Sequence, residues 1–209
     1  MRAHIQSRLA DAPRCGDPLA RLRRDLDGPM SSPLMELLQR RRSPAAVLLA
    51  LIDRHDGLTM LFTERSADLK DHPGQVSFPG GSIEAGDDGP VAAAIREAEE
   101  EVGMEPGLVS VVGRLEDFLT VTGFLVTPVV AFVGREYCPV GDGREVAEVF
   151  EVPLQYLLDE NNVRVTWRER LGTRIRVYEI DYDGHRIWGA TGSILVQFLS
   201  LISPYDRTR

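Results

Sequence analysis

The sequence predicts an α/β fold, a mixed β-sheet held between helices. Three observations carry that prediction. A continuous apolar run of strand length stands at residues 45–52, and 124–133 reads as a second long strand. Around residues 92–104 the apolar side chains Val91, Ala94, Ile95, Ala98 and Val102 recur at a spacing of about 3.6 residues, the period of one helix face. Strands and helices then follow one another in mixed order, which a single layered domain accommodates by sandwiching the sheet.

Taken in order, residues 1–30 are polar and Arg-rich and read as a loosely packed N-terminal arm or helical extension, with one amphipathic piece at 19–26 and a stop at Gly28-Pro29. Residues 31–209 form the main domain. A short helix is expected at 33–41, then a hairpin of 45–52 with 58–64 across the turn Asp53 to Gly57. The helix at 92–104 follows, with Asp88 or Gly89 as its cap, Pro90 in its first turn and Gly103 at its stop. Strands are expected at 109–112, 118–120 and 124–133. A glycine-opened segment, 141–151, leads to a short helix at 153–158. Strands at 163–167, 174–180 and 186–188, the last two joined by Asp183-Gly184, precede a closing helix at 193–202 whose Ile194, Leu195, Phe198 and Leu201 make an apolar face.

Composition narrows the function. The 209 residues suit one domain with some extra chain, and 43% hydrophobic with 27% charged residues describes a water-soluble globular protein. A net charge of −8 argues against a broad nucleic-acid-binding face, so no nucleic-acid partner is expected. Cys15 and Cys138 make neither a disulfide framework nor a zinc spacing and read as free thiols in the cytoplasm. Apolar runs too short for a bilayer exclude a membrane span. The first 24 residues hold six Arg against two Asp, but lack the hydrophobes of a transit peptide. A homodimer is compatible with the sequence.

The helix at 92–104 also carries Glu97, Glu100 and Glu101 on one arc beside its apolar stripe. Three carboxylates at i, i+3 and i+4 repel, by roughly 0.2–0.5 kcal/mol per pair on an open surface. A hard divalent cation reverses the sign, because Mg²⁺ and Mn²⁺ take oxygen ligands. Upstream lies a glycine loop, Phe78-Pro79-Gly80-Gly81, and an acidic turn from Glu84 to Pro90.

Loop and helix together resemble the Nudix box, Gly-x5-Glu-x7-Arg-Glu-U-x-Glu-Glu-x-Gly-U, with U a bulky aliphatic residue. The second half fits from Arg96 to Met104, with the small Ala98 at a U position. In the first half Asp87 stands six residues after Gly81 and Arg96 lies one residue late, as if the loop held one insertion and Asp87 or Asp88 replaced the first Glu. The segment from Leu61 to Gly81 resembles the LLTxRSxxLRxHxGxVxFPGG signature of the Nudix subfamily that hydrolyses coenzyme A. It matches at Thr63, Arg65, Ser66, Leu69, His72, Gly74, Val76 and Phe78, and has Lys70 in place of the usual Arg.

The resemblance implies an α/β/α sandwich with a mixed sheet, and a coenzyme A diphosphatase releasing 4′-phosphopantetheine and adenosine 3′,5′-bisphosphate. Glu97, Glu100 and Glu101 would bind Mg²⁺ or Mn²⁺, and Arg96 would hold one of those carboxylates. Arg65, Ser66, Lys70, His72, Gly80 and Gly81 would serve the substrate, the cations meeting its phosphates. For the general base Glu100 leads, then Glu148, then Glu145. The alternatives are a broader nucleoside-diphosphate hydrolase acting on ADP-ribose, NADH or capped RNA, and a ligand-binding module of the same fold without turnover.

Overall fold

Strands β1 (Ser43–Arg54) and β2 (Gly57–Arg65) make the expected hairpin, with Leu51 opposite Met60 and Arg54 opposite Gly57. The computed structural model that shows this describes residues 1–12, 16–40, 42–68 and 73–203. β1 is the centre of the sheet and is apolar from Pro44 to Ile52, because both its faces are covered over most of that length. Leu49 and Leu51 enter one core, and Ala46, Leu48, Ala50 and Ile52 enter the other.

β7 (Phe124–Val133) runs parallel to β1, from Ser43 opposite Phe124 to Ile52 opposite Val133. Every other pairing is antiparallel. β5 (Val109–Arg114) and β6 (Phe118–Leu119) add to β7, while β8 (Val146–Pro153) adds to β2. Two short strands, β3 (Val76–Ser77) beside β2 and β4 (Gly80–Ser82) beside β1, complete an eight-stranded mixed sheet. Helix α4 (Gly89–Val102) covers one face through Ala93, Ala94, Ala98 and Val102. The short helix α5 (Leu154–Leu158) follows β8, and helix α6 (Gly189–Ile202) covers the other face through Ile194, Leu195, Phe198 and Leu199. The chain is therefore the mixed-sheet α/β/α sandwich that the sequence predicts.

Of the two readings of the N-terminal segment, an arm or a helical extension, the described residues take the helical form. Helices α1 (Arg2–Ala10) and α2 (Pro18–Arg24) bury Ile5, Leu9 and Leu22. Arg8 donates to the carbonyl of Leu201 at 2.7 Å, and His4 Nε2 lies 2.8 Å from that of Ile202, so α1 satisfies the open carbonyl end of α6. Leu22 joins Leu34 and Leu38 of α3 (Ser32–Arg40), with Leu119 and Ile175, in a third small core. Ile175 belongs to a separate antiparallel sheet of β9 (Arg164–Arg170), β10 (Thr173–Tyr182) and β11 (His185–Ile187).

The glycine-opened segment 141–151 is strand β8 from Val146 onward, with Glu148 in the strand and Glu145 just before it. That placement separates the two carboxylates, as the site shows. No helix among the described residues is long and apolar enough to cross a membrane.

Candidate active site

Two neighbouring glycines bring the loop before α4 into contact with its glutamates. Gly80 has a backbone φ of +155°, and a Cβ there would run into the carbonyl of Ala46. Its N–H donates to Glu101 Oε2 at 3.1 Å. At Gly81 a Cβ would stand 2.5 Å from Glu97 Oε1, so the backbone occupies the place of a side chain. α4 itself ends at Gly103, in the left-handed region at φ +65°, whose N–H returns to the carbonyl of Glu99 at 3.1 Å.

Glu101 is 8% exposed, and burial pushes its carboxyl up to about 7, with Glu97 and Glu145 adding to the rise while the Gly80 N–H and Arg65 oppose it. Burial also raises Glu97, against the pull of Arg96. Glu100, by contrast, is 61% exposed. Arg96 organises all of this. Its guanidinium meets both oxygens of Asp87 at 3.0 and 3.1 Å, Glu97 at 3.0 Å, Glu100 at 3.1 Å and the carbonyl of Ser82 at 3.2 Å. Of the two aspartates the sequence leaves open, Asp87 is thus the one that takes the Arg96 fork. The hydrogen bond from Arg96 holds its carboxyl below the ordinary range.

Arg65 comes from the end of β2. Its guanidinium is 3.9 Å from Glu145, it acts electrostatically on Glu101, and its Nε–H is buried with no hydrogen-bond partner among the described residues. Ser66 donates its N–H to the carbonyl of Glu145 at 2.8 Å, and its hydroxyl accepts from the N–H of Asp68 at 3.4 Å. Lys70 and His72 lie outside the described residues.

Glu148 is not part of this group. It stands opposite Glu64 in the ladder and shares a face with Phe150, which packs on the α6 side, whereas the next residue, Val149, packs on the α4 side. Its neighbour is His185, at 3.4 Å. Glu64, Glu148 and His185 form a second cluster, with ligand-capable atoms all within 4.8 Å of one another. Nothing in the sequence pattern announces it, because His185 reaches Glu64 across 121 residues.

The donor set on α4 suits a hard cation. Glu97 and Glu101 are partly withdrawn from water, the charge of Glu97 bears on Glu101, and Arg96 meets Glu97 through Oε1.

With this geometry in place, the match over residues 41–168 to the NUDIX domain has a structural meaning: it runs from β1 into β9 and contains every site group described so far except His185. The chain belongs to the Nudix family. It is 38% identical over 170 residues to Nudix hydrolase 15, mitochondrial, of Arabidopsis thaliana, covering 78% of this chain and 59% of that protein. This chain therefore spans less than two thirds of the plant protein's length. Among bacterial proteins it is 42% identical over 161 residues to the uncharacterized Nudix hydrolase NudL of Citrobacter koseri, covering 77% and 82% of the two chains. Of solved structures, the M. smegmatis Nudix hydrolase RenU aligns with a TM-score of 0.47 at 25% identity over 55% of this chain and 72% of its own. The MutT/nudix family protein from Enterococcus faecalis aligns at 0.48 and 12% identity, over 88% and 73%.

Proposed function

We propose that the chain is a metal-dependent pyrophosphohydrolase that cleaves the diphosphate of coenzyme A and its derivatives. The observation that carries the reading is the meeting of its two motifs at one point. The segment resembling the coenzyme A signature supplies Arg65, Gly80 and Gly81, and the helix supplies Glu97, Glu100 and Glu101. The Gly80–Glu101 hydrogen bond and the field of Arg65 on Glu101 join them.

Glu97, Glu100 and Glu101 would hold Mg²⁺ or Mn²⁺. When bound, such an ion neutralises a diphosphate and lowers the pKa of a coordinated water. The chain's own residues then do the rest. Arg96 fixes the directions of Glu97 and Glu100, and Gly80 fixes Glu101. Arg65 places a cation beside the diphosphate, where a guanidinium can grip two oxygens at once. Glu100, the most accessible of the three, takes the proton from the attacking water. Glu145, paired with Arg65, is the loop carboxylate nearest that work, and Glu148 falls out of the candidates for it.

The test is to incubate the protein with Mg²⁺ or Mn²⁺ and coenzyme A, acyl-coenzyme A, ADP-ribose, NADH and capped RNA, and to identify products by mass. The expected products are 4′-phosphopantetheine and adenosine 3′,5′-bisphosphate. Preferential cleavage of ADP-ribose, NADH or capped RNA with coenzyme A left intact would overturn the substrate assignment.

A further inference from the structure

His185, in the C-terminal hairpin, is built into the back of the rim that carries Arg65 and Glu145. It opens β11 directly after the Asp183-Gly184 turn, and its side chain is 14% exposed. The ring lies flat on Phe150, with centroids 3.8 Å apart and planes 8° from parallel. Nδ1 is 2.9 Å from Glu64 Oε2, and Nε2 is 3.4 Å from Glu148 Oε1. Since Glu64 and Glu148 face each other across β2 and β8, the imidazole bridges two strands at one rung of the ladder.

That rung has a particular position. The register shifts between Glu64 and Arg65, so that Arg65 stands opposite Val146 and one residue of β8 is left over at the shift. Arg65 bonds through its N–H to Gln75 and through its carbonyl to Gly74, and Ser66 bonds to the carbonyl of Glu145. Glu64 is therefore the last side chain before the register shift, and Arg65, the end of β2, is the first beyond it. Consecutive strand residues project to opposite faces, so a twist of β2 that moves Glu64 one way moves Arg65 the other.

We propose that His185 is a positioning residue for the diphosphate site: by holding Glu64 and Glu148 behind the sheet, it fixes Arg65 and Glu145 in front of it. The inference rests on the function proposed above. It adds a group that lies beyond residues 41–168 and touches no reacting atom.

His185→Phe keeps a flat ring against Phe150 and removes both polar contacts. His185→Gln keeps a donor for Glu64. In steady-state kinetics with coenzyme A and Mn²⁺, His185→Phe is expected to raise KM about fivefold or more while kcat changes less than about twofold, a loss of uniform binding. His185→Gln should recover most of that loss. In an Arg65→Ala background, His185→Phe should add nothing, because both changes act on one contact. Additive losses in the double variant would overturn the proposal. So would an unchanged KM in His185→Phe, or equal defects in the Phe and Gln variants accompanied by a matching fall in Tm.

Calorimetric titration of the same variants with adenosine 3′,5′-bisphosphate and with inorganic pyrophosphate separates the two ideas. Absence of coenzyme A turnover in the wild type defeats the substrate assignment. An affinity for both probes that is unchanged in His185→Phe defeats the role of His185.

Discussion

Glu101 is a carboxylate in a place that disfavours negative charge: nearly buried, beside Glu97, and offered one backbone N–H. Such a site has use for a cation. Glu101→Gln keeps the shape and removes the charge, and so does Glu100→Gln at the exposed corner. Each is expected to lower kcat by about 10³ or more, the scale of losing preorganised electrostatic stabilisation, and EDTA should abolish turnover in the wild type. Full turnover in EDTA or in either variant would sink the metal assignment. Gly81→Ala probes the same pocket from the backbone side. A methyl 2.5 Å from Glu97 Oε1 forces that carboxylate away, so kcat should fall steeply while circular dichroism stays native. Arg65 answers a different question, which phosphate it serves. A charge-assisted contact is worth about 1.5–3 kcal/mol, so Arg65→Ala should cost coenzyme A more than tenfold beyond its cost to 3′-dephospho-coenzyme A if the 3′-phosphate is the partner. Equal losses on the two substrates are the outcome expected of the diphosphate placement proposed above.

Among the elements, α4 and β8 show what local pattern can and cannot convey. The stripe Ala94, Ala98, Val102, the acidic arc beside it and the stop at Gly103 are all set within one helix, so a period of about 3.6 residues displays them. β8 is different. Glu145 just before it and Glu148 and Glu151 within it look alike in sequence, yet one meets Arg65, one meets His185 and one is locked to Arg54. The register shift between Glu64 and Arg65 sorts the first two, and a shift of register has no signature in the strand itself. Glu151 binds Arg54 at 2.6 and 3.0 Å and accepts from Thr59, while Arg54 also donates to the carbonyls of Arg135 and Tyr137. Burial alone would raise the Glu151 carboxyl, but the bonds from Arg54 and Thr59 outweigh it and hold the group below its ordinary 4.5. A depressed folded-state pKa stabilises above the unfolded value and loses that contribution as pH falls through the folded one. Glu151→Gln should therefore cost about 1–3 kcal/mol in urea unfolding at pH 7, with the difference from wild type shrinking below about pH 4. A pH-independent difference would rule out the ion pair as its source.

At the scale of the whole molecule, the sandwich was legible because its central strands and two covering helices carry dense apolar runs, whereas the N-terminal helices carry few. α1 has only Ile5 and Leu9 on its inner side among Arg, His, Gln and Ser, too sparse a stripe to distinguish from a solvated arm. What makes it part of the core is tertiary: Leu9 packs where Gly113 leaves room, both side chains join the core under α6, and His4 and Arg8 meet the end of α6. The same distance in sequence hides the His185–Glu64 contact. Because Ile5 is fully buried in the core on the α6 side of the sheet, its removal should act on stability and leave chemistry on the α4 side alone. Ile5→Ala deletes buried methyl groups and leaves a cavity, a change that costs about 2–5 kcal/mol in packed cores. For a chain of this size each kcal/mol moves Tm by roughly 2–4 °C, so differential scanning calorimetry should show a fall on the order of 4–20 °C. KM and kcat at 20 °C should stay within about twofold of wild type, as expected for a site that shares no contact with the cavity. An unchanged Tm would mean that α1 is the loose arm after all, and a change in KM without a change in Tm would place α1 at the substrate.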